Sequence, residues 1–95
     1  MNIQELRIEI DKIDNKIIDL LNKRMNYVNQ VGDIKKKNNE PIYRPEREKE
    51  IIDRLSNNSN GKLTHQAIKS IFQEVFAVAR NLESEDKISY LGPEG

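Results

Sequence analysis

The sequence predicts an all-α protein of three helices, one long N-terminal helix followed by two shorter ones. Apolar residues recur at alternating steps of three and four from Ile3 to Ile34, which indicates a helix with one buried seam over more than four heptads. The prolines at 41 and 45 then interrupt the helical pattern. A second helical period of apolar residues runs from Ala67 to Leu82.

The first helix is predicted to begin at Asn2, an N-cap residue with Glu5 as its reciprocal acid. A helix over 3–34 would be about 50 Å long. That length exceeds the diameter of a 95-residue globule, whose expected radius of gyration is about 13 Å. We therefore expect a second copy of the chain to cover the seam, in which Arg24 is the only charge. The seam positions are Ile3, Leu6, Ile10, Ile13, Ile17, Leu20, Arg24, Tyr27, Val31 and Ile34.

The second helix is predicted from Pro45, a residue favoured at the first helical position, to about Leu55. Residues 56–61 are a loop by composition. Thr64 is the expected N-cap of the third helix, which should run to Glu83 or Ser84. His65 falls in its first turn and is expected to be a surface residue.

Composition excludes several classes of function. The chain has no cysteine, which rules out disulfides, and no Cys/His cluster that would form a structural zinc site. Its sixteen basic and sixteen acidic residues cancel, whereas a nucleic-acid-binding protein would usually be more basic. No apolar run reaches the ~20 residues of a membrane span, and the N-terminus has no signal-peptide pattern. We expect a soluble, cytoplasmic, single-domain protein.

A set of charged residues lies on or beside the apolar stripes of the predicted helices. Taken one at a time, each has an ordinary structural explanation, such as setting coiled-coil register or complementing a helix dipole. Lys35 follows Arg24 by eleven residues, about 20° of rotation and ~16 Å of rise, so both side chains could reach one small molecule lying over Val28, Val31 and Gly32. The charged residues are Arg7, Arg24, Lys35, Arg47, Glu48 and Glu83.

Arg7 cannot join that site from the same helix. It precedes Lys35 by 28 residues, or ~42 Å along a straight helix, so it would have to come from another, antiparallel subunit. Four of the six charges are cationic, and arginine matches a carboxylate with two parallel hydrogen bonds. The pattern suits a small polycarboxylate, with chemistry that proceeds by orientation and electrostatics. Gly32 makes the helix about 1 kcal/mol less stable than alanine would at this position, so we expect another group to approach closely there.

Four segments give the chain a clear resemblance to the all-helical chorismate mutases, specifically the N-terminal mutase domain of bifunctional chorismate mutase–prephenate dehydratases. These segments are Leu-Arg7 with Ile-Asp-Asn-Lys following, Leu-Leu-Asn-Lys-Arg24, Val31-Gly32-Asp-Ile-Lys35 and Tyr43-Arg-Pro-Glu-Arg47-Glu48. The resemblance implies three helices per chain intertwined as a homodimer. It implies an isomerase of phenylalanine and tyrosine biosynthesis that converts chorismate to prephenate by a Claisen rearrangement, without cofactor or metal.

The resemblance also implies roles for individual residues. Arg24, with Arg47 nearby, would bind one substrate carboxylate, and Arg7 of the partner subunit would bind the other. Lys35 would donate to the ether oxygen, Glu83 would be a second donor there, and Glu48 would hold the ring hydroxyl. Catalytic roles are thus expected for Lys35, Arg47 and Glu83. The expected substrate-binding residues are Arg7, Arg24, Val31, Lys35, Arg44, Arg47, Glu48, Ala79 and Glu83.

Two positions depart from the family pattern. Arg44 stands where some members have an acid, and Ala79 where some have a serine, which removes a hydroxyl from the pocket. Residues 1–86 are expected to form the mutase domain. The last residues, 87–95, resemble the opening of a dehydratase domain, with Ile88, Tyr90 and Leu91 as the start of a strand; within this chain they are expected to be disordered.

Three other functions are compatible with the sequence. A pericyclic lyase on the same scaffold would remove pyruvate from isochorismate, although the dehydratase-like tail argues against it. A structural dimerisation module would explain the seam but not the placement of Lys35, Glu48 and Glu83. A mutase-like regulatory domain would bind an aromatic effector.

Overall fold

A computed structural model describes residues 1–84, and within them the chain is all α-helical. Helix α1 spans Ile3–Asn38, α2 spans Pro45–Asn58 and α3 spans His65–Ser84. The three predicted helices are confirmed, while the predicted strand start in residues 87–95 lies outside the described residues. The molecule measures 52 × 33 × 17 Å, and its radius of gyration of 16.7 Å exceeds the ~13 Å of a compact globule of this length.

Both ends of α1 are fixed by local hydrogen bonds. The Asn2 side chain accepts from the Glu5 backbone N–H at 2.8 Å, and the Glu5 carboxylate accepts from the Asn2 N–H at 2.9 Å, which confirms the predicted capping box. At the other end Asn39 adopts the left-handed conformation, with φ of 56°. The Glu40 N–H then donates to the Lys35 carbonyl at 2.9 Å, and the chain leaves the helix axis.

Helix α2 begins at Pro45, as predicted, but the prediction that it ends at Leu55 is wrong. It continues for three more residues to Asn58, so half of the predicted loop is helical. Leu55 packs against the core and Ser56 is half-buried, which holds this turn in place. The polar composition of the segment indicated a loop, but burial against α3 outweighs that local preference. The Ser59 hydroxyl, which donates to the Leu63 carbonyl at 3.0 Å, lies beyond the helix end.

Helix α3 packs against both other helices and forms the centre of the fold. The predicted N-cap is confirmed, because the Thr64 hydroxyl accepts from the Ala67 N–H at 3.1 Å. His65 opens the helix and is exposed, as expected. A small core joins α2 and α3, where Phe72 and Phe76 meet edge to face with 5.9 Å between ring centroids. The buried apolar residues of the described chain are Ile51, Ile52, Ile68, Val75, Phe76 and Ala79.

The apolar seam of α1 is left largely uncovered by α2 and α3. Ile13 remains 55% exposed and Leu20 63% exposed, although a seam of this kind should be buried. An exposed apolar surface of this length is typical of a face that another chain covers. In the part of the chain that the structure describes, no helix combines the length and apolar character that crossing a membrane requires.

Gly32 is where α1 and α3 come closest. It is buried, and a Cβ atom on it would stand 2.9 Å from the Cα of Glu83 and 3.1 Å from the Glu83 carbonyl oxygen. Real Cβ atoms do not approach backbone so closely, and backbone cannot rotate away as a side chain can. The expected close approach at Gly32 is confirmed, and the neighbouring group is the end of α3.

We expect Gly32→Ala to destabilise the protein. Overpacking typically costs 1–3 kcal/mol, and the better helix propensity of alanine returns about 1 kcal/mol, so the net loss should be up to about 2 kcal/mol. Urea unfolding followed by circular dichroism measures it.

Gly61→Ala is the matched control, because a Cβ at Gly61 meets nothing within 4 Å and its φ is not positive. It should leave the free energy of unfolding unchanged or slightly raised. Equal effects of the two substitutions would contradict a close contact at Gly32.

Candidate active site

A cleft of about 180 Å³ lies where the C-terminal half of α1 meets α2 and α3. Its floor is apolar, and charged side chains from all three helices surround it. Five cationic side chains face two carboxylates, so the cleft carries an excess of positive charge. Its lining residues are Arg24, Val28, Val31, Lys35, Ile42, Arg44, Arg47, Glu48, Ile51, Phe76, Ala79, Arg80 and Glu83.

Lys35 and Glu83 form an ion pair across the contact between α1 and α3. Lys35 Nζ lies 2.6 Å from Glu83 Oε1, and only 14% and 11% of the two side chains are exposed. Lys35 Nζ also donates to the Ile42 carbonyl oxygen at 3.3 Å. Gly32, one turn before Lys35, permits the backbone approach that brings Glu83 within reach. The pair is thus positioned by three separate segments of the chain.

Arg24 lies beside this pair with an unsatisfied donor. Its Nη1 is buried and has no hydrogen-bond partner among residues 1–84, while its guanidinium carbon lies 5.8 Å from the centre of the Phe76 ring. Burial, and then the positive charge of Arg47, lower the pKa of Arg24, whereas the Glu83 charge acts in the opposite direction. Arginine remains charged throughout the physiological range. A buried, charged donor without a partner is costly, and an anionic ligand would satisfy it.

Two further arginines stand at the start of α2. Arg44 donates to Glu46 at 2.6 Å, and this hydrogen bond raises the pKa of Arg44 and lowers that of Glu46. Arg47 donates to Glu50, also at 2.6 Å. Both ion pairs are exposed and contribute little stability, so either arginine can exchange its carboxylate for one on a ligand.

Glu48 faces the cleft one turn into α2 and is held by a residue of α3. Arg80 Nη1 lies 2.5 Å from Glu48 Oε2, and the Arg80 guanidinium carbon lies 5.1 Å from the centre of the Tyr43 ring. The Glu48 side chain is 22% exposed and that of Arg80 37%. These contacts hold Glu48 at the cleft from the α3 side.

The structure brings eight of the nine predicted site residues to this cleft. They are Arg24, Val31, Lys35, Arg44, Arg47, Glu48, Ala79 and Glu83. Arg7 is not among the lining residues of its own chain, since α1 is unbroken and carries Arg7 about eight turns away from Lys35. The geometric expectation that Arg7 cannot serve this site in cis is confirmed.

Sequence reasoning missed several lining residues. Ile42, Ile51 and Phe76 supply the apolar floor, and their apolar character alone gave no sign that they face a cleft rather than the core. Arg80 was the more important omission. It follows Phe76 by four residues and so continues the apolar stripe of α3 with a charge, the same signal that singled out Glu83.

The charged side chains of the cleft can orient an anion and stabilise negative charge. Residues 1–84 contain no group of three His, Asp or Glu side chains that could hold a metal ion. Among these same residues no serine or histidine lines the cleft, so it lacks the pairing that activates a hydroxyl nucleophile. Fold and site together define a helical protein with an electropositive cleft.

The chain belongs to the chorismate mutase type II family, which it matches over residues 6–84. A curated bifunctional chorismate mutase/prephenate dehydratase of Aquifex aeolicus is 39% identical over 96% of this chain. The chain spans about a quarter, 26%, of the length of that relative.

Two solved structures share the fold. A chorismate mutase of Thermus thermophilus superposes with a TM-score of 0.85 at 30% identity, over 90% of this chain and 98% of that one. A chorismate mutase of Helicobacter pylori, determined in complex with prephenate, gives a TM-score of 0.78 at 38% identity, over 84% of this chain and 87% of that one. These likenesses agree with the resemblance inferred from the four sequence segments.

Proposed function

We propose that this chain is a chorismate mutase that rearranges chorismate to prephenate. The observation that carries the proposal is the buried, unpartnered Nη1 of Arg24 beside the Lys35–Glu83 pair, in a chain of the chorismate mutase type II family. Chorismate is a dicarboxylate with an ether oxygen between its ring and its enolpyruvyl side chain. The cleft offers a cation for a carboxylate and, next to it, donors for that oxygen.

The reaction is a unimolecular isomerisation in which no atom is gained or lost. The ether C–O bond breaks while a C–C bond forms between the side chain and the ring, and the electrons move in one cycle. Negative charge develops on the ether oxygen as the C–O bond lengthens. A donor already aimed at that oxygen stabilises the transition state more than the ground state, which is the requirement for catalysis.

Each site residue has a role in this proposal. Arg24 and Arg47 bind one carboxylate, and the compact form of the substrate is held over Val31 and Ala79. Lys35 donates to the ether oxygen. Its ion pair with Glu83 holds the Lys35 ammonium group at the cleft. Glu48 accepts from the ring hydroxyl. Arg44, whose side chain pairs with Glu46 at the rim, adds positive potential that attracts the dianion.

We expect Lys35→Ala to lower kcat by a hundredfold or more, because loss of a donor to a developing oxyanion costs about 2.7–4 kcal/mol. The measurement is the decrease of chorismate absorbance on adding micromolar protein, followed by acid conversion of the product to phenylpyruvate. Lys37→Ala is the control: Lys37 lies in the exposed last turn of α1, outside the cleft lining, and its loss should leave kcat unchanged.

Absence of chorismate consumption by the wild-type protein would refute the proposed function. Release of pyruvate from isochorismate would assign the lyase instead. A Lys35→Ala loss below tenfold with the fold intact would return Lys35 to a structural role.

We further propose that the active protein is a homodimer in which Arg7 of each chain binds the second carboxylate in the partner's cleft. Two observations support it: the exposed apolar seam of α1 and the separation of Arg7 from its own cleft along one unbroken helix. A second groove, about 470 Å³, runs beside the cleft and offers an apolar face for the partner. Its apolar lining residues are Ile17, Leu20, Leu21, Ile51, Leu55, Ile71, Phe72 and Val75.

Mixing Arg7→Ala with Arg24→Ala chains should restore activity. Half of the dimers in an equal mixture are heterodimers, and each has one intact site of two, so about a quarter of wild-type activity is expected. Turnover is measured after subunit exchange at mild denaturant concentration. The controls are the two variants taken separately through the same treatment. A mixture no more active than these controls would exclude a shared site.

Glu83 is proposed as the second donor to the ether oxygen. An ionised carboxylate donates no hydrogen bond, whereas the amide of glutamine has nearly the same shape and is a permanent donor. Glu83→Gln should therefore keep or raise kcat, while Glu83→Ala should lower it, as measured by chorismate consumption. A Glu83→Ala variant with the kcat of the wild-type protein would exclude Glu83 as a second donor.

We place the reaction in phenylalanine and tyrosine biosynthesis in the cytoplasm. We also propose that residues 1–86 form the mutase domain and that 87–95 begin a dehydratase-like domain, in keeping with the bifunctional relative from Aquifex aeolicus. Activity of the intact protein on prephenate would test the second assignment.

A further inference from the structure

Arg80 lies on α3 and contacts two residues of the cleft that belong to other segments of the chain. Its guanidinium donates to Glu48 Oε2 on α2 at 2.5 Å and lies over the ring of Tyr43 in the connection between α1 and α2. We infer that Arg80 is a positioning residue that holds the Glu48 carboxylate in the orientation that recognises the ring hydroxyl of the substrate. The inference rests on the proposed function and assigns to the site a residue that the roles above leave unused.

The two carboxylate oxygens of Glu48 have different roles in this proposal. Oε2 accepts from Arg80 Nη1, so this bond engages one of the two oxygens. An ionised carboxylate accepts on both oxygens, so Oε1 remains available to a hydroxyl in the cleft that Glu48 lines. Because the pair is partly buried, solvent competes with it less than at the exposed pairs of Arg44 and Arg47.

A glutamate at this position needs an external support. Its side chain has three rotatable bonds, and an unrestrained Glu48 could turn out of the cleft to water. The charge-assisted hydrogen bond from a second helix restricts these rotamers before the substrate arrives, so less ordering remains for binding and for the transition state. Arg80 thus acts on the substrate through Glu48.

The contact with Tyr43 explains why this cation is an arginine. A planar guanidinium can lie over an aromatic ring and donate along its edge at the same time, which an ammonium group cannot do equally well. Tyr43 follows Ile42, whose carbonyl oxygen accepts from Lys35. The connection that forms the rim is therefore held by Lys35 on one side and by Arg80 on the other.

A different role, direct binding of a substrate carboxylate by Arg80, fits the contacts less well. The Arg80 guanidinium is already engaged by Glu48 and by the Tyr43 ring. Arg24 has a buried donor with no partner in the described chain, which makes it the better carboxylate ligand. Removing Arg80 from Glu48 would also leave a carboxylate facing the dianion without its counter-charge.

The test is a double-mutant cycle with Arg80→Gln, Glu48→Gln and the double variant, assayed for kcat and KM. Arg80→Gln should lower kcat/KM by about ten- to a hundredfold, the size of one charge-assisted hydrogen bond. In the Glu48→Gln background, Arg80→Gln should lower kcat/KM by less than about a further threefold, because the carboxylate that Arg80 positions is no longer present. Arg80→Lys should recover part of the lost kcat/KM, because lysine keeps the positive charge but lacks the planar guanidinium.

A substrate analogue with hydrogen in place of the ring hydroxyl gives a second readout. Wild-type protein and Arg80→Gln should turn it over at similar rates, because the contact that Arg80 supports is absent. A merely structural defect would slow both substrates alike. Lys69→Ala, which removes an exposed cation from α3 outside the cleft, is the control and should leave both rates unchanged.

Additive losses in the cycle, or equal losses on the two substrates, would overturn the positioning role. Should Arg80→Gln fail to fold by circular dichroism, Tyr43→Leu removes only the ring contact and should show the same dependence on Glu48 with a smaller loss. Wild-type protein that consumes no chorismate would instead overturn the proposed function, and this inference with it. Active wild-type protein with an additive cycle would overturn the inference alone.

Discussion

The fold depends on the contact between α1 and α3 at which Lys35 and Glu83 meet. Two charges that are almost fully buried are tolerable only when they are paired, and pairing at 2.6 Å requires the helices to approach closely. Gly32 permits that approach because it presents no Cβ to the Glu83 backbone. Once α3 is placed in this way, α2 packs on its other side and the cleft forms between the three helices. The strongest constraint on the architecture and the centre of the proposed chemistry are therefore the same contact.

Much of the fold follows from local sequence signals. The Asn2–Glu5 capping box, Pro45 at the first position of α2 and the Thr64 cap all lie where the sequence predicts, because each depends on residues within one turn. The end of α2 could not be predicted in this way, because Leu55 packs against a core that includes Phe76 of α3, which is distant in sequence. Polar composition indicates a loop only where no tertiary contact opposes it.

The site was predictable to the extent that its charges interrupt apolar stripes. Lys35, Glu48 and Glu83 could be found because an ionised group at a half-buried helical position needs a partner or a ligand. Sequence alone could not assign those partners. Lys35 pairs with Glu83 and Glu48 with Arg80, across 48 and 32 residues respectively, and only the packing of α3 decides both. The proposed role of Arg80 could not be predicted from its own helix, because its partners Tyr43 and Glu48 lie elsewhere in the chain.

The thin core has a thermodynamic consequence. Within residues 1–84 six apolar side chains are buried, and no side chain is below 2% exposure, while eleven large apolar side chains of α1 remain exposed. A surface that covers α1 therefore contributes directly to the folding free energy of each chain. By mass action, the fraction of folded chains then depends on the concentration of the molecule that carries this surface. Dilution and denaturant would therefore both shift the same equilibrium between covered, folded chains and unfolded chains. In the proposed homodimer, the concentration of chains would set both stability and the number of complete sites.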